Sequence, residues 1–127
     1  ASENARFADT HAKIGALSGS GMGARLPRAV GARFARQMIL SCQPIDAATA
    51  LRVGLVNELL RAEELLPRAM EIAAAIAAHD PGLIRMSKSV VDRGTEGTLA
   101  DALAIETETL QQRKAMGAMT WGNGTPA

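Results

Sequence analysis

The apolar pattern of residues 62–79 constrains the fold more than any other feature of the sequence. Leucine, isoleucine and alanine recur there every three or four positions, which places them on one face of a helix. Asp80 and Pro81 then end the pattern, because the residue before a proline disfavours helical backbone. A long amphipathic helix is therefore predicted in the second half of the chain.

Further elements are predicted from the same kind of signal. Asp46 and Thr98 each stand at the N-cap position of an apolar repeat, and Gly94 stands where a helix would stop. A helical turn before residue 30 is expected to be interrupted by Pro27. The chain is predicted to be mostly α-helical, with a few short strands. The predicted helices are 30–41, 47–53, 62–79, 82–93 and 98–114, and the predicted strands are 5–8, 12–17 and Leu55–Leu60.

Composition narrows the class of protein. The 127 residues suffice for one domain with a real core. A formal net charge of +1 and 2% aromatic residues argue against a nucleic-acid binder, which needs a basic stripe or stacking rings. Cys42 is the only cysteine, so a reducing, cytoplasmic compartment is expected. No membrane span and no metal site are expected, since no apolar run approaches about 20 residues and the two histidines lack ligand spacing.

A glycine-dense stretch, Gly15–Gly23, leads toward the first predicted helix. Glycines let backbone N–H groups approach a ligand closely, and a helix start favours negative charge. The stretch has neither the Gly-Lys-Ser/Thr of a P-loop nor a Gly-x-Gly-x-x-Gly pattern, so nucleotide binding is unsupported. It predicts either a ligand-binding loop or a tight turn that needs positive φ.

Three sequence blocks together resemble one family. F-A-D-T-H-A-K-I-G-A-L-S-G-S-G-M-G-A-R-L-P-R-A-V-G fills residues 7–31, and I-D-A-A-T-A-L-R-V-G-L-V-N-E-L fills residues 45–59. An amphipathic helix and a segment containing Lys88 follow. Their order and nearly gapless spacing over residues 5–95 resemble the C-terminal half of a crotonase (enoyl-CoA hydratase/isomerase) superfamily protein. The resemblance implies an α/β fold, the ββα spiral, of which this chain would supply a mostly helical part.

The resemblance also implies a division of the chain. Residues 1–60 would form the end of the spiral core with its glycine-rich active-site loop. Residues 61–115 would form a C-terminal helical region that serves oligomerisation and covers the active site. Residues 116–127 show no periodicity and are expected to form a disordered tail.

The resemblance implies an acyl-CoA substrate, fatty-acid-type metabolism and a stabilised thioester enolate. It implies no cofactor besides the coenzyme A of the substrate. His11 stands at the position of a catalytic glutamate in the family's hydratases and is the predicted catalytic residue. Gly19, Ser20 and Gly21 are predicted to bind substrate, with the backbone N–H of Gly19 helping to hold the reacting water. Ser18 replaces the family's usual proline in this loop.

Several alternatives remain open from the sequence. His11 could be a loop histidine with only a structural hydrogen bond. Asp9 could orient the imidazole of His11, or it could be a solvated turn aspartate. The resemblance implies a homo-trimer or hexamer if the protein is complete. The alternative function is a non-catalytic truncated or split remnant that serves as a helical assembly module.

We expect little hydratase activity from the isolated 127 residues. The resemblance places the two oxyanion-hole donors of the family before residue 1, and an enolate needs such donors. The purified chain should leave the absorbance of an enoyl-CoA thioester unchanged over time. Detectable turnover would contradict this expectation.

Overall fold

A computed structural model describes residues 1–117. Contacts group them into one compact unit ending at Glu71 and a second beginning at Ile72. The mostly helical prediction is confirmed, and the predicted tail lies, from residue 118 on, outside the described residues. In chain order the elements are strand β1 (Arg6–Phe7), a 3-10 turn (His11–Ile14), helices α1 (Met22–Val30) and α2 (Ala32–Ser41), strand β2 (Ile45–Asp46), and helices α3 (Ala47–Arg52), α4 (Ala62–Ala77), α5 (Pro81–Gly94) and α6 (Leu99–Ala115).

The core of the first unit forms where α1 packs against α2. Leu26 of α1 and Met38 of α2 are buried there, together with Ala35, which has no exposed surface. Only Gly31 separates the two helices, and its φ of 78° lies in the left-handed region that glycine adopts without strain. The reversal of the chain at Gly31 therefore brings the two apolar faces together.

A two-stranded antiparallel sheet joins the start of this unit to α3. Phe7 of β1 pairs with Ile45 of β2, and Arg6 pairs with Asp46. Asp46 is also the N-cap of α3, as predicted, because its Oδ1 accepts a hydrogen bond of 2.8 Å from the backbone N of Thr49. The sheet thereby fixes the end of β1, and the segment that follows β1 contains the candidate site.

Three local predictions were wrong. Leu55–Leu60 is not a strand, because only Leu60 finds a pairing partner, in a single parallel bridge to Ser2. Residues 12–17 form no strand either, and the segment begins as a 3-10 turn. Pro27 lies inside α1 instead of interrupting it. A proline removes only one backbone donor, and the packing of α1 against α2 outweighs that loss.

In the second unit, α5 packs against α6. Asp80 caps α5 by accepting a hydrogen bond of 2.6 Å from the backbone N of Leu83. Thr98 and Asp101 form the predicted capping box at the start of α6. Gly94 ends α5, as predicted, although without positive φ. The missing side chain of Gly94 lets α5 pack closely against α6, because an added Cβ would lie 3.2 Å from the Cβ of Ala102.

Helix α4 forms where the apolar pattern predicts it, yet its large apolar residues stay exposed. Leu66 is 69% exposed, Met70 is 61% exposed and Ile76 is 48% exposed. Within residues 1–117, no helix has both the length and the apolar character needed to cross a membrane. The periodicity thus predicted the helix correctly without predicting what covers its face.

Overpacking the contact between α1 and α2 should destabilise the first unit. Leucine at position 35 has no space beside Leu26 and Met38, so Ala35→Leu should lower the free energy of unfolding by about 1–3 kcal/mol. Ala32→Leu, at the exposed start of the same helix, is the matched control and should have little effect. Urea unfolding followed by circular dichroism measures both, and equal midpoints for the two variants would contradict the packing described.

Candidate active site

Asp9 and His11 form a hydrogen-bonded pair directly after β1. Asp9 is only 2% exposed. Its Oδ1 accepts a hydrogen bond of 2.9 Å from the backbone N of His11 and lies 2.7 Å from Nδ1 of the same residue. The side chain of His11 is 39% exposed, so the imidazole lies between a buried carboxylate and the surface. The structure therefore brings the predicted catalytic residue together with the residue that could orient it.

The local backbone follows from the Asp-x-His sequence. An aspartate side chain commonly accepts a hydrogen bond from the backbone two residues further on, which turns the chain. This turn leads into the 3-10 turn His11–Ile14, which ends at Gly15 with a left-handed φ of 67°. The backbone N of Ala16 then donates to the carbonyl of His11 at 3.0 Å. His11 is thus held by its backbone on both sides as well as by its ring.

The protonation of the pair follows from its geometry. The backbone N–H of His11 lowers the pKa of Asp9 most, and the hydrogen bond with the imidazole lowers it further. An ionised carboxylate can only accept hydrogen bonds, so we assign the proton of the neutral ring to Nδ1. Nε2 of His11 then keeps a free lone pair. An imidazole in this state can accept a proton at Nε2 and so can act as a general base.

A cavity of about 180 Å³ adjoins the pair. Apolar side chains from α2 and from the glycine-dense loop form most of its walls, and two of them, Leu17 and Leu40, are largely exposed to solvent. Apolar walls with a few convergent polar groups are typical of small-molecule sites. The lining residues besides Asp9 and His11 are Ala12, Ala16, Leu17, Ser18, Gly23, Ile39 and Leu40.

The other predicted site residues lie on the same loop but do not line this cavity. Ser18 lines it, whereas Gly19, Ser20 and Gly21 are absent from its walls. Ser20 lines a separate cavity of about 300 Å³, and its carbonyl accepts a hydrogen bond from the guanidinium of Arg25. Gly21 has a φ of 87° and is the N-cap of α1. The substrate-binding role of these three residues stays a prediction.

Sequence reasoning missed two features of the site. A solvated turn aspartate was one of the open interpretations of Asp9, and its burial excludes that interpretation. The wall supplied by Ile39 and Leu40 had no sequence signal linking it to His11. The Asp-x-His spacing was the available signal for the pair. Within residues 1–117, no three His, Cys, Asp or Glu side chains come together in a way that could hold a metal ion.

Replacing Asp9 should change how stability depends on pH. The folded-state pKa of Asp9 lies below its unfolded value, so its contribution is full above the unfolded value, about 3.9, and is lost as the pH falls through the folded value. The gap in free energy of unfolding between the unaltered chain and Asp9→Asn should be widest near neutral pH and shrink below about pH 4. Urea unfolding across this range measures the gap.

The control for that experiment is Glu96→Gln, which replaces an exposed carboxylate. Its gap from the unaltered chain should stay small at every pH. A gap for Asp9→Asn that is constant from neutral to acid pH would contradict the buried, ionised carboxylate.

Comparisons with known proteins agree with the resemblance in the sequence. Residues 1–121 match the family model described as enoyl-CoA hydratase/isomerase. The short-chain-enoyl-CoA hydratase of Clostridium acetobutylicum is 41% identical over 108 residues, which are 85% of this chain and 41% of that protein. This chain therefore spans about two fifths of the length of that relative.

Solved structures give the same result. The enoyl-CoA hydratase from Bacillus anthracis superposes with a TM-score of 0.83 at 29% identity, over 87% of this chain and 43% of that one. The enoyl-CoA hydratase from Mycobacterium tuberculosis superposes with a TM-score of 0.69 at 37% identity, over 91% of this chain and 53% of that one. The predicted fold, the crotonase spiral with a mostly helical share in this chain, is confirmed. By its sequence and its fold, the chain belongs to the enoyl-CoA hydratase/isomerase family.

Proposed function

We propose that this chain supplies the proton-transferring side chain of an enzyme that acts on acyl-CoA thioesters, in fatty-acid-type metabolism. The observation that supports this most is the Asp9–His11 pair beside an apolar cavity, at the family's glutamate position. An imidazole whose Nδ1 is bonded to a buried carboxylate has its other nitrogen free for proton transfer. The chemistry needs no cofactor besides the coenzyme A moiety of the substrate.

The proposed mechanism divides the work between His11 and backbone donors. In hydration, Nε2 of His11 takes a proton from water as the water oxygen bonds to the β-carbon, and the imidazolium then returns that proton to the α-carbon of the resulting thioester enolate. In isomerisation, the same nitrogen would move a proton between carbons of the acyl chain. Backbone N–H groups that bind the thioester oxygen stabilise the enolate in both reactions. By resemblance, those donors belong to the half of the family domain that this chain does not match.

The loop residues Gly19, Ser20 and Gly21 complete the proposal. Their backbone N–H groups would bind substrate, with Gly19 holding the reacting water. A side chain at Gly19 would meet nothing within 4 Å, and Gly21 starts α1, whose first N–H groups favour an electron-rich partner. The open space supports close approach of a ligand at Gly19, whereas the Arg25 guanidinium lies 2.9 Å from a Cβ added at Gly21.

Removing the imidazole should abolish most activity of the native polypeptide, by which we mean the protein as the cell makes it, as distinct from the isolated 127 residues. His11→Ala should lower kcat for enoyl-CoA substrates by about 100- to 10,000-fold, the usual contribution of a general acid or base. Binding of a non-reactive acyl-CoA, measured by calorimetry, should change little, because the imidazole acts on the reacting atoms. His79→Ala, at an exposed position after α4, is the matched control and should keep full activity.

Activity of His11→Ala equal to that of the control would contradict the proposal. Turnover should be measured with both short and long enoyl-CoA esters, because the sequence leaves the acyl chain open. Loss of substrate and exchange of the α-hydrogen with solvent should both be followed, so that hydration and isomerisation are each detected.

A helical assembly module is the second candidate function. Exposed apolar residues on α4, α5 and α6 favour it, among them Leu66 at 69%, Val91 at 64% and Leu99 at 76%. These exposed faces also support assembly of the enzyme as a homo-trimer or hexamer. Separately, the single cysteine of the chain fits a cytoplasmic setting. Light scattering on the native polypeptide measures the assembly, and the His11→Ala comparison separates the two functions, because a module alone would turn over no enoyl-CoA.

A further inference from the structure

We infer that Asp9 is a positioning residue, which holds His11 in the tautomer that leaves Nε2 unprotonated. The catalytic consequence of this inference rests on the proposed function. The tautomer itself is a property of the pair and can be measured separately. Asp9 would thus act through His11 and would not touch the substrate.

The burial of Asp9 is the first step of the argument. An aspartate in a turn is ordinarily solvated, but this one is 2% exposed and lies against a mostly apolar cavity. A buried carboxylate is costly unless hydrogen bonds compensate its charge. Among the described residues, its compensation comes from His11 alone, because Oδ2 is buried without a hydrogen-bond partner. The arrangement is therefore stable only while His11 donates.

The two donors on His11 are the second step. Oδ1 of Asp9 is 2.9 Å from the backbone N and 2.7 Å from Nδ1, so one oxygen fixes both the main chain and the ring. The backbone bond by itself would account for the turn. The hydrogen bond to the ring is not needed for the turn. Its effect is to determine which ring nitrogen carries the proton and how the imidazole is oriented.

The charges around the ring are the third step. Helix α2 faces the cavity with Ile39 and Leu40, and the loop faces it with Ala16, Leu17 and Ser18, none of which is charged. Lys13 lies on the same 3-10 turn as His11 and does not line the cavity. Among the residues that line the cavity, Asp9 is thus the single charged group that acts on the imidazole.

A charge argument links this pair to catalysis. When Nε2 accepts a proton, the ring becomes a cation beside the anionic carboxylate, and the pair as a whole becomes neutral. A glutamate, the family's residue at this position, needs no partner of this kind because it becomes neutral on its own. A histidine at this position becomes a cation when it takes the proton, and the adjacent carboxylate of Asp9 stabilises that cation.

Nitrogen NMR of the imidazole tests the inference directly. The native polypeptide is labelled with ¹⁵N-histidine, and the ring signals of His11 are assigned by their loss in His11→Gln. At a pH where the ring is neutral, the shifts should show the proton on Nδ1 of His11. His79, which is exposed, is the internal reference and should show the Nε2–H form that free imidazole prefers.

Two variants of Asp9 complete the test. Asp9→Ala should move His11 to the Nε2–H form and leave His79 unchanged. Asp9→Asn keeps an acceptor for the turn but removes the charge, so the fold should persist while kcat falls, by no more than the about 100- to 10,000-fold expected for His11→Ala, with little change in KM.

A proton on Nε2 of His11 in the unaltered protein would overturn the inference, and this result needs no variant to fold. A tautomer that stays the same in Asp9→Ala would also overturn it. Full activity of His11→Ala together with the expected tautomer would remove the proposed function and leave the role of Asp9 in place. An inactive His11→Ala together with a tautomer that does not change when Asp9 is replaced would support the proposed function and remove the positioning role of Asp9.

Discussion

The carboxylate of Asp9 is the interaction on which the candidate site depends. One oxygen accepts from the backbone N–H and the ring of His11, and the side chain is almost fully buried. This contact turns the chain after β1, starts the 3-10 turn and orients the imidazole. Because the side chain of Asp9 is buried, water competes little for its hydrogen bonds with His11.

The helices and their caps could be predicted from the sequence because their signals are local. Asp46 and Thr98 cap the helices that their positions indicated, and α4 follows its apolar periodicity. Strands are less local, because a strand forms only where another segment supplies a partner. Leu60 receives one bridge from Ser2, so the segment Leu55–Leu60 stays irregular.

The candidate site was only partly predictable. The position of His11 came from the resemblance to the family, and the Asp-x-His spacing suggested the pair. The burial of Asp9 could not be predicted, because the cavity beside it also takes Ile39 and Leu40, about thirty residues further along the chain, and no local signal links them to Asp9. Helix α4 illustrates the same limit, since a periodic pattern predicts an apolar face without stating what covers it.

A crystal structure of the native polypeptide with a non-reactive acyl-CoA would be the most direct measurement. We expect Nε2 of His11 to lie about 2.6–3.2 Å from the attacking water, or about 3–3.5 Å from the carbon whose proton it moves. Nδ1 should still be bonded to the carboxylate of Asp9. An acyl group bound away from the cavity beside His11, with the imidazole contacting only solvent, would contradict the assignment of this pair to the active site.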